Sequence, residues 1–260
     1  MFSFFKKKKQ EKTYCEPKKE VIYDYSDVSE VAKFIKERTG INFDSQLTIL
    51  KSKMGTFCRI RELCNFEECM QKALDNPLFA QEVIDYITTN ETYFYREFKQ
   101  VEEFVESAKD KLSHFNVLCA PCATGEEPYS LVIALLEAGI PADRFHITGI
   151  DISASALGLA QEALYTQRHV RNLNETLKDK YFEHNGDVYR LKDSIKNKVT
   201  FKQVNVFSQE FLDLGHFDYV FSRNMLIYFD QETKQKAKAI LESMLKDKHK
   251  HVYYGHADLY

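Results

Sequence analysis

The chain has 260 residues, of which 44% are hydrophobic and 29% charged, and a formal net charge of -3. That length holds one large domain or two of ordinary size around a substantial core, and the charge gives no general electrostatic case for a nucleic-acid partner. No stretch approaches the roughly 18 apolar residues of a membrane span, and the start, Met1 to Lys9, does not read as a signal peptide; a soluble cytoplasmic protein with reduced cysteines is expected.

Residues 1–20 carry Lys6 to Lys9, Lys12, Lys18 and Lys19 with little to bury, which reads as a basic disordered tail. From Ser26 the pattern turns helical. Val28, Val31, Phe34 and Ile35 share a stripe that Gly40 stops. Leu47, Leu50, Met54, Phe57 and Ile60 then recur at spacings of three and four over 45–63, and Lys51, Lys53, Arg59 and Arg61 read as the other, basic face. Asn65 with Glu68 gives a capping-box-like start to a third helix, and Asn76-Pro77 opens a fourth with Phe79, Val83 and Ile87 inward. Together these make a helical N-terminal domain over 26–88. Residues 89–114 read as a linker, but Thr88 to Glu97 crowds hydroxyls, an amide, aromatics and an arginine together, which is unusual for a plain connection.

From residue 115 strand and helix patterns alternate: Phe115–Ala120, a helix over 128–138, His146–Ile150, a helix over 153–164, Val199–Val206, His216–Ser222, a helix over 231–246 and His251–Tyr254. Such alternation predicts an α/β fold with a mostly parallel sheet and helices on both faces. The first strand runs into Cys122-Ala123-Thr124-Gly125-Glu126-Glu127-Pro128, a turn of small residues ahead of a buried helix, where such folds hold nucleotide ligands. The turn lacks G-x-G-x-x-G, and two carboxylates stand where a pyrophosphate would lie. A neutral or cationic adenosyl compound such as S-adenosylmethionine suits them better, and acidic residues solvated at a helix N-terminus are the plainer alternative. Cys119 and Cys122 form a C-x-x-C, but Cys119 belongs to the strand, which disfavours a redox site. Asp151 ends the second strand, where an acid accepts both ribose hydroxyls or, with Ser153, starts a helix. Between about 165 and 198 a helix and a small hairpin are expected as an insertion on the sheet.

Four stretches in order, T-T-N-E-T-Y-F-Y-R-E at 88–97, C-A-T-G-E-E-P-Y-S at 122–130, G-I-D-I-S at 149–153 and F-D-Y-V-F-S-R-N-M-L-I-Y-F-D at 217–230, resemble the CheR-type chemoreceptor glutamate methyltransferases over about residues 26–258. The resemblance implies a Rossmann-like S-adenosylmethionine-dependent domain at 115–260 with a small inserted β subdomain, behind an all-α N-terminal domain. By the same resemblance Asn90, Thr92 and Arg96 match positions that hold the methionine part of the cofactor, with Glu127 beside them. Asp151 matches the ribose acid, Asn205 and Val206 the adenine-proximal pair, Arg223 and Asn224 the loop under the methyl donor, and Tyr228 the tyrosine facing the transferred methyl. Arg96 and Tyr228 are the candidate catalytic residues, with a salt bridge to Glu97 or Glu127 and a core aromatic as their plainer readings. The family pattern departs at Pro121 and at Gly255-His256-Ala257-Asp258.

The implied reaction esterifies glutamate carboxylates of chemoreceptors, giving methyl esters and S-adenosylhomocysteine, with no metal. The implied partner is the receptors' cytoplasmic helical domain, reached transiently at arrays on the inner face of the membrane, without nucleic acid or stable membrane insertion. The short stretch Tyr181 to Leu191 looks like the kind that works without a receptor tethering pentapeptide. A same-fold enzyme for another acidic protein, or an inactive cofactor-sensing module, remains the alternative.

Overall fold

The computed structural model describes residues 24–259; the tail expected over 1–20 lies outside the described residues. Four helices come first: α1 (Ser29–Thr39), α2 (Leu47–Ile60), α3 (Phe66–Asp75) and α4 (Pro77–Ile87). Their expected stripes turn inward, with Val31, Ile35, Leu50, Met54 and Val83 completely buried in one cluster. Local chemistry fixes their ends. The Asn65 side chain accepts from the Glu68 N–H while Glu68 accepts from the Cys64 N–H, and Asn76 caps the helix that Pro77 opens. The basic residues of α2 do not form one face. Lys51 and Lys53 lie about 200° apart around the axis, and Arg61 lies past the helix end in an ion pair with Glu82 at 2.6 Å.

The segment read as a linker contains a helix, α5 (Phe98–Lys109), whose Val101, Phe104, Val105 and Ala108 are buried. Phe104 meets Tyr219 and Phe221 edge-on at 4.9 and 5.3 Å, so α5 covers one face of the sheet. Beyond it follow β1 (Phe115–Cys119), α6 (Glu126–Glu137), β2 (Phe145–Asp151), α7 (Ala154–Glu162) and β3 (Leu164–Thr166). Then come α8 (Glu175–Tyr181), β4 (Phe182–Asn185), β5 (Val188–Leu191), α9 (Asp193–Lys196), β6 (Val199–Gln203), α10 (Gln209–Leu212), β7 (Tyr219–Ser222), α11 (Gln231–Ser243) and β8 (Tyr253–Tyr254). The main sheet runs β6-β2-β1-β7-β8, every pair parallel. A core with α5 and α6 covers one face, and α11 with Leu118, Ile150 and Val220 fills the other.

Several boundaries differ from the sequence expectation. Helix α6 starts at Glu126, so Pro128 is its third residue, still within the first turn where a missing N–H costs nothing. Helix α7 stops at Glu162, and Leu164–Thr166 turns into a strand that pairs with Val188–Arg190, making the insertion a three-stranded antiparallel sheet, β3-β5-β4, instead of a lone hairpin. Strand β6 ends at Gln203, and Val204 to Val206 leave the ladder toward the crevice.

The motif at 88–97 is anchored by alternate chemistry. Phe94 is completely buried and edge-on to Tyr165 and Phe182, and its N–H bonds to the His169 carbonyl. The Tyr95 N–H bonds to the Ser130 hydroxyl at 3.0 Å. These contacts leave Asn90, Thr92 and Arg96 facing open space.

Candidate active site

Strand order reverses direction at β1: its crossover through α6 leads to β2 on one side, while β7 lies on the other. Open α/β sheets bind ligands at that point, beyond the carboxyl ends of the strands. Two adjoining cavities sit there. The larger, about 370 Å³, has Ile150, Asp151, Val204, Asn205 and Val206 on the sheet side and Ile41, Phe43 and Lys53 of the helical segment opposite. The smaller, about 260 Å³, is lined by Thr92, Arg96, Cys122, Glu127 and Arg223. Thr89, Pro121, Ala123, Asn224, Ile227 and Tyr228 line both. Every residue expected at the site therefore borders one cavity or the other, Asn90 with the larger.

At the wide end the charge is held by backbone. Asp151, 5% exposed, accepts from the N–H groups of Ala123 and Ser153 at 2.8 and 2.9 Å. Burial raises its pKa, and those bonds oppose the rise by favouring the anion. Two N–H donors leave part of a carboxylate's acceptor capacity free. Asn205 is more committed. Its amide donates to the Arg38 carbonyl at 2.7 Å and its oxygen accepts from the Phe207 N–H, tying the sheet to α1.

At the narrow end charge is held by charge. Glu127 and Arg223, both nearly fully buried, form an ion pair at 3.1 Å, and Arg223 also donates to the Arg96 carbonyl at 2.7 Å. Burial raises the Glu127 pKa and Arg223 pulls it back down. Arg96 makes neither of the salt bridges considered for it. Its guanidinium donates to the Glu91 carbonyl at 2.8 Å, Glu127 takes Arg223, and Glu97 faces His256 at 3.2 Å. Glu126, next in the turn, is fully buried, accepts from the Thr124 hydroxyl at 2.7 Å and lies 3.8 Å from His169; burial pushes its pKa up to about 7. Gly125 makes the turn possible: at φ +91° a Cβ would lie 2.9 Å from that of Ala160.

Between the two ends sits Asn224, with φ +60°, in the loop after β7. The completely buried Asp258 accepts from the N–H groups of Asn224, Gly255 and Ile227 and so pins that loop. A Cβ on Gly255 would lie 2.8 Å from the Asn224 nitrogen, so the last turn packs directly beneath it. Tyr228 is half-buried; burial raises its phenol pKa against a hydrogen bond with Thr89 and the charge of Arg96, so it stays a neutral hydroxyl at ordinary pH.

The donor set matches an S-adenosylmethionine-like ligand. Among the described residues, Asn224 Oδ1 is a buried acceptor with no hydrogen-bond partner, and Glu127 brings a buried carboxylate whose Oε1 is paired with Arg223 at 3.1 Å; an acceptor and a carboxylate side by side suit a group that brings N–H donors and positive charge. Residues 90–259 match the model of the CheR methyltransferase SAM-binding domain. The chain is 37% identical over 234 residues to a chemotaxis protein methyltransferase of Campylobacter jejuni strain 81-176, covering 90% of this chain and 88% of that one. It is 30% identical to the chemotaxis protein methyltransferase of Borreliella burgdorferi, over 89% of this chain and 87% of that one. The chain belongs to the CheR methyltransferase family.

In this CheR methyltransferase the C-x-x-C thiols are both buried, and burial pushes both pKa values well up, so neither supplies a thiolate at neutral pH. Asp258 and Thr89 are the residues around the site that pattern reading did not single out. Asp258 was visible only as part of a departing terminal motif, and its signal is the three N–H groups it gathers. Among the described residues no helix is long and apolar enough to cross a membrane.

Proposed function

We propose that the chain transfers the methyl group of S-adenosylmethionine to glutamate carboxylates of chemoreceptors from the cytoplasmic side. One observation carries the reading: two joined cavities put the orphaned acceptor Asn224 Oδ1 and the buried carboxylate of Glu127 within one crevice with Tyr228 at their seam. The larger cavity takes the adenosine, with Asp151 accepting from the ribose and Val204 to Val206 against the base. Glu127 and Asn224 take the ammonium end, and Arg96, Thr92 and Asn90 fix the methionine part. When bound, the cofactor supplies an electrophilic methyl on a sulfonium.

A substrate glutamate has an ordinary pKa of about 4.3 and is already ionised at neutral pH, so no residue here acts as a general base. Anion and cation become neutral products, and the half-buried walls of the smaller cavity favour that loss of charge over separated ions. Holding the carboxylate oxygen in line with the S–CH₃ bond contributes on the order of 7 kcal/mol or more. Tyr228 orients that oxygen by donating its hydroxyl proton, and Arg96, exposed to the smaller cavity, holds a carboxylate in fixed geometry. The helical segment over 26–88 works as the lid of the larger cavity through Ile41, Phe43 and Lys53. The resemblance at Tyr181 to Leu191 is the ground for action independent of a tethering pentapeptide.

The test is transfer of labelled methyl from S-adenosylmethionine to receptor-rich membranes followed by mild alkali. Label released as methanol is expected. Alkali-stable label would move the acceptor away from a carboxylate, and tight cofactor binding without transfer would make the chain a sensor.

A further inference from the structure

Lys51, Lys53, Arg59 and Arg61 do not make a common face. A cationic cluster at the mouth of the crevice lies elsewhere, on the loop between β3 and α8. Arg168 Nη2 lies 2.9 Å from Glu91 Oε1, and Arg171 donates to the Arg168 carbonyl at 2.8 Å while its guanidinium carbon stands 3.6 Å from the centre of the Tyr93 ring. Arg96 approaches the same ring at 5.8 Å. The loop is sewn to the 88–97 motif by the Phe94 N–H to the His169 carbonyl and by Asn172 to the Tyr95 carbonyl. Both Glu91 and Arg96 line the smaller cavity, so the cluster forms its rim.

Resting on the methyl-transfer reading above, we propose that Arg168 and Arg171 dock a second carboxylate of the protein substrate, on the acidic segment that carries the acceptor glutamate. Of the three arginines Arg168 pairs with a carboxylate, that of Glu91, while Arg96 and Arg171 donate to the backbone carbonyls of Glu91 and Arg168, which leaves an excess of positive charge at the rim. The fields of Arg168 and Arg171, with burial, also depress the pKa of His169 between them. Stacking on Tyr93 holds the Arg171 fork in place, so little side-chain freedom is lost when a carboxylate binds. Charge complementarity selects the occupant. The chain as a whole is acidic, which disfavours nucleic acid, and the cluster borders the acceptor cavity where a substrate segment must pass.

Methylation of a soluble cytoplasmic receptor fragment by the full chain separates the possibilities. Arg171→Glu and the double change Arg168→Ala with Arg171→Ala should raise the substrate KM about fivefold to tenfold at low salt. The turnover number and the S-adenosylhomocysteine Kd should stay within twofold of wild type, the latter also reporting an intact fold. Arg171→Lys, which keeps the charge but loses the stacked fork, should give a KM between those of wild type and Arg171→Glu, and the gap between variants and wild type should close in high salt. An unchanged KM in the charge variants while wild type forms alkali-labile esters overturns the docking role alone. So does loss of binding to vesicles containing anionic lipid with no change in KM, which would make the cluster a membrane contact. Absence of such esters with wild type overturns the methyl-transfer reading itself, and this inference with it.

Discussion

The two ends of the crevice solve the same problem, a buried carboxylate, by different means. Asp151 at the wide end is held by peptide N–H groups that the fold supplies anyway, at the end of β2 and in the turn after β1. Glu127 at the narrow end depends on Arg223, which comes from the loop after β7. A backbone-held acid keeps its surroundings when a side chain is changed; a charge-held acid does not. Glu126, one residue before Glu127, has no arginine beside it, and burial outweighs the Thr124 hydroxyl that favours its anion. The wide end is thereby built for shape and the narrow end for charge.

Removing the arginine breaks the contrast hardest. Arg223→Met leaves Glu127 as an uncompensated buried charge and should cost about 3 kcal/mol or more of stability, read in denaturant unfolding, with loss of cofactor binding. The double change Arg223→Met with Glu127→Leu should recover much of that stability and none of the binding, since the carboxylate that takes the ammonium group is then gone.

Glu126 gives the next largest effect. The folded state retains its proton between the ordinary carboxyl pKa of 4.5 and the raised value of about 7, while the unfolded chain has released it. Stability therefore falls as pH rises through that window, and the whole cost is present above it. Glu126→Gln should be more stable than wild type by about 3 kcal/mol at pH 8 and close to it at pH 5. A variant whose pH profile matches wild type would place the proton elsewhere.

At the wide end Asp151→Asn surrenders the charge and one of two acceptor oxygens, turning an NH₂ toward the N–H of Ala123 or of Ser153. Unfolding should weaken by about 1–3 kcal/mol, and the S-adenosylhomocysteine Kd should rise about tenfold to hundredfold, measured by calorimetry. At the seam, Tyr228→Phe should leave that Kd unchanged and lower the turnover number about tenfold, the effect of one lost orienting hydrogen bond. An unaffected rate would reduce Tyr228 to a wall of the cavity.

Sequence pattern reached the wide end more fully than the narrow one, for the same reason. The strand leading to Asp151, the glycine turn, the two caps at Asn65 and Asn76 and the stripes of the first helices are local signals, and they fold where the pattern puts them. The Glu127–Arg223 pair and the three donors on Asp258 join residues far apart in the chain, which no periodicity reports. Helix α5 carried its period in Val101, Phe104, Val105 and Ala108, yet followed a polar motif that drew the stretch into a linker. Strand β3 is three residues long and is defined by its pairing with β5. Val204 and Val206 are buried against the crevice, and their apolar pattern imitated a longer strand.

A crystal structure with S-adenosylhomocysteine bound tests most directly whether one ligand spans both cavities. Expected is an adenosine in the larger cavity with its ribose hydroxyls on Asp151, the amino group between Glu127 and Asn224, and the sulfur facing the Tyr228 hydroxyl. An adenosine lodged in the smaller cavity, or a sulfur turned away from Tyr228, would contradict the assignment of the wide end to shape and the narrow end to charge.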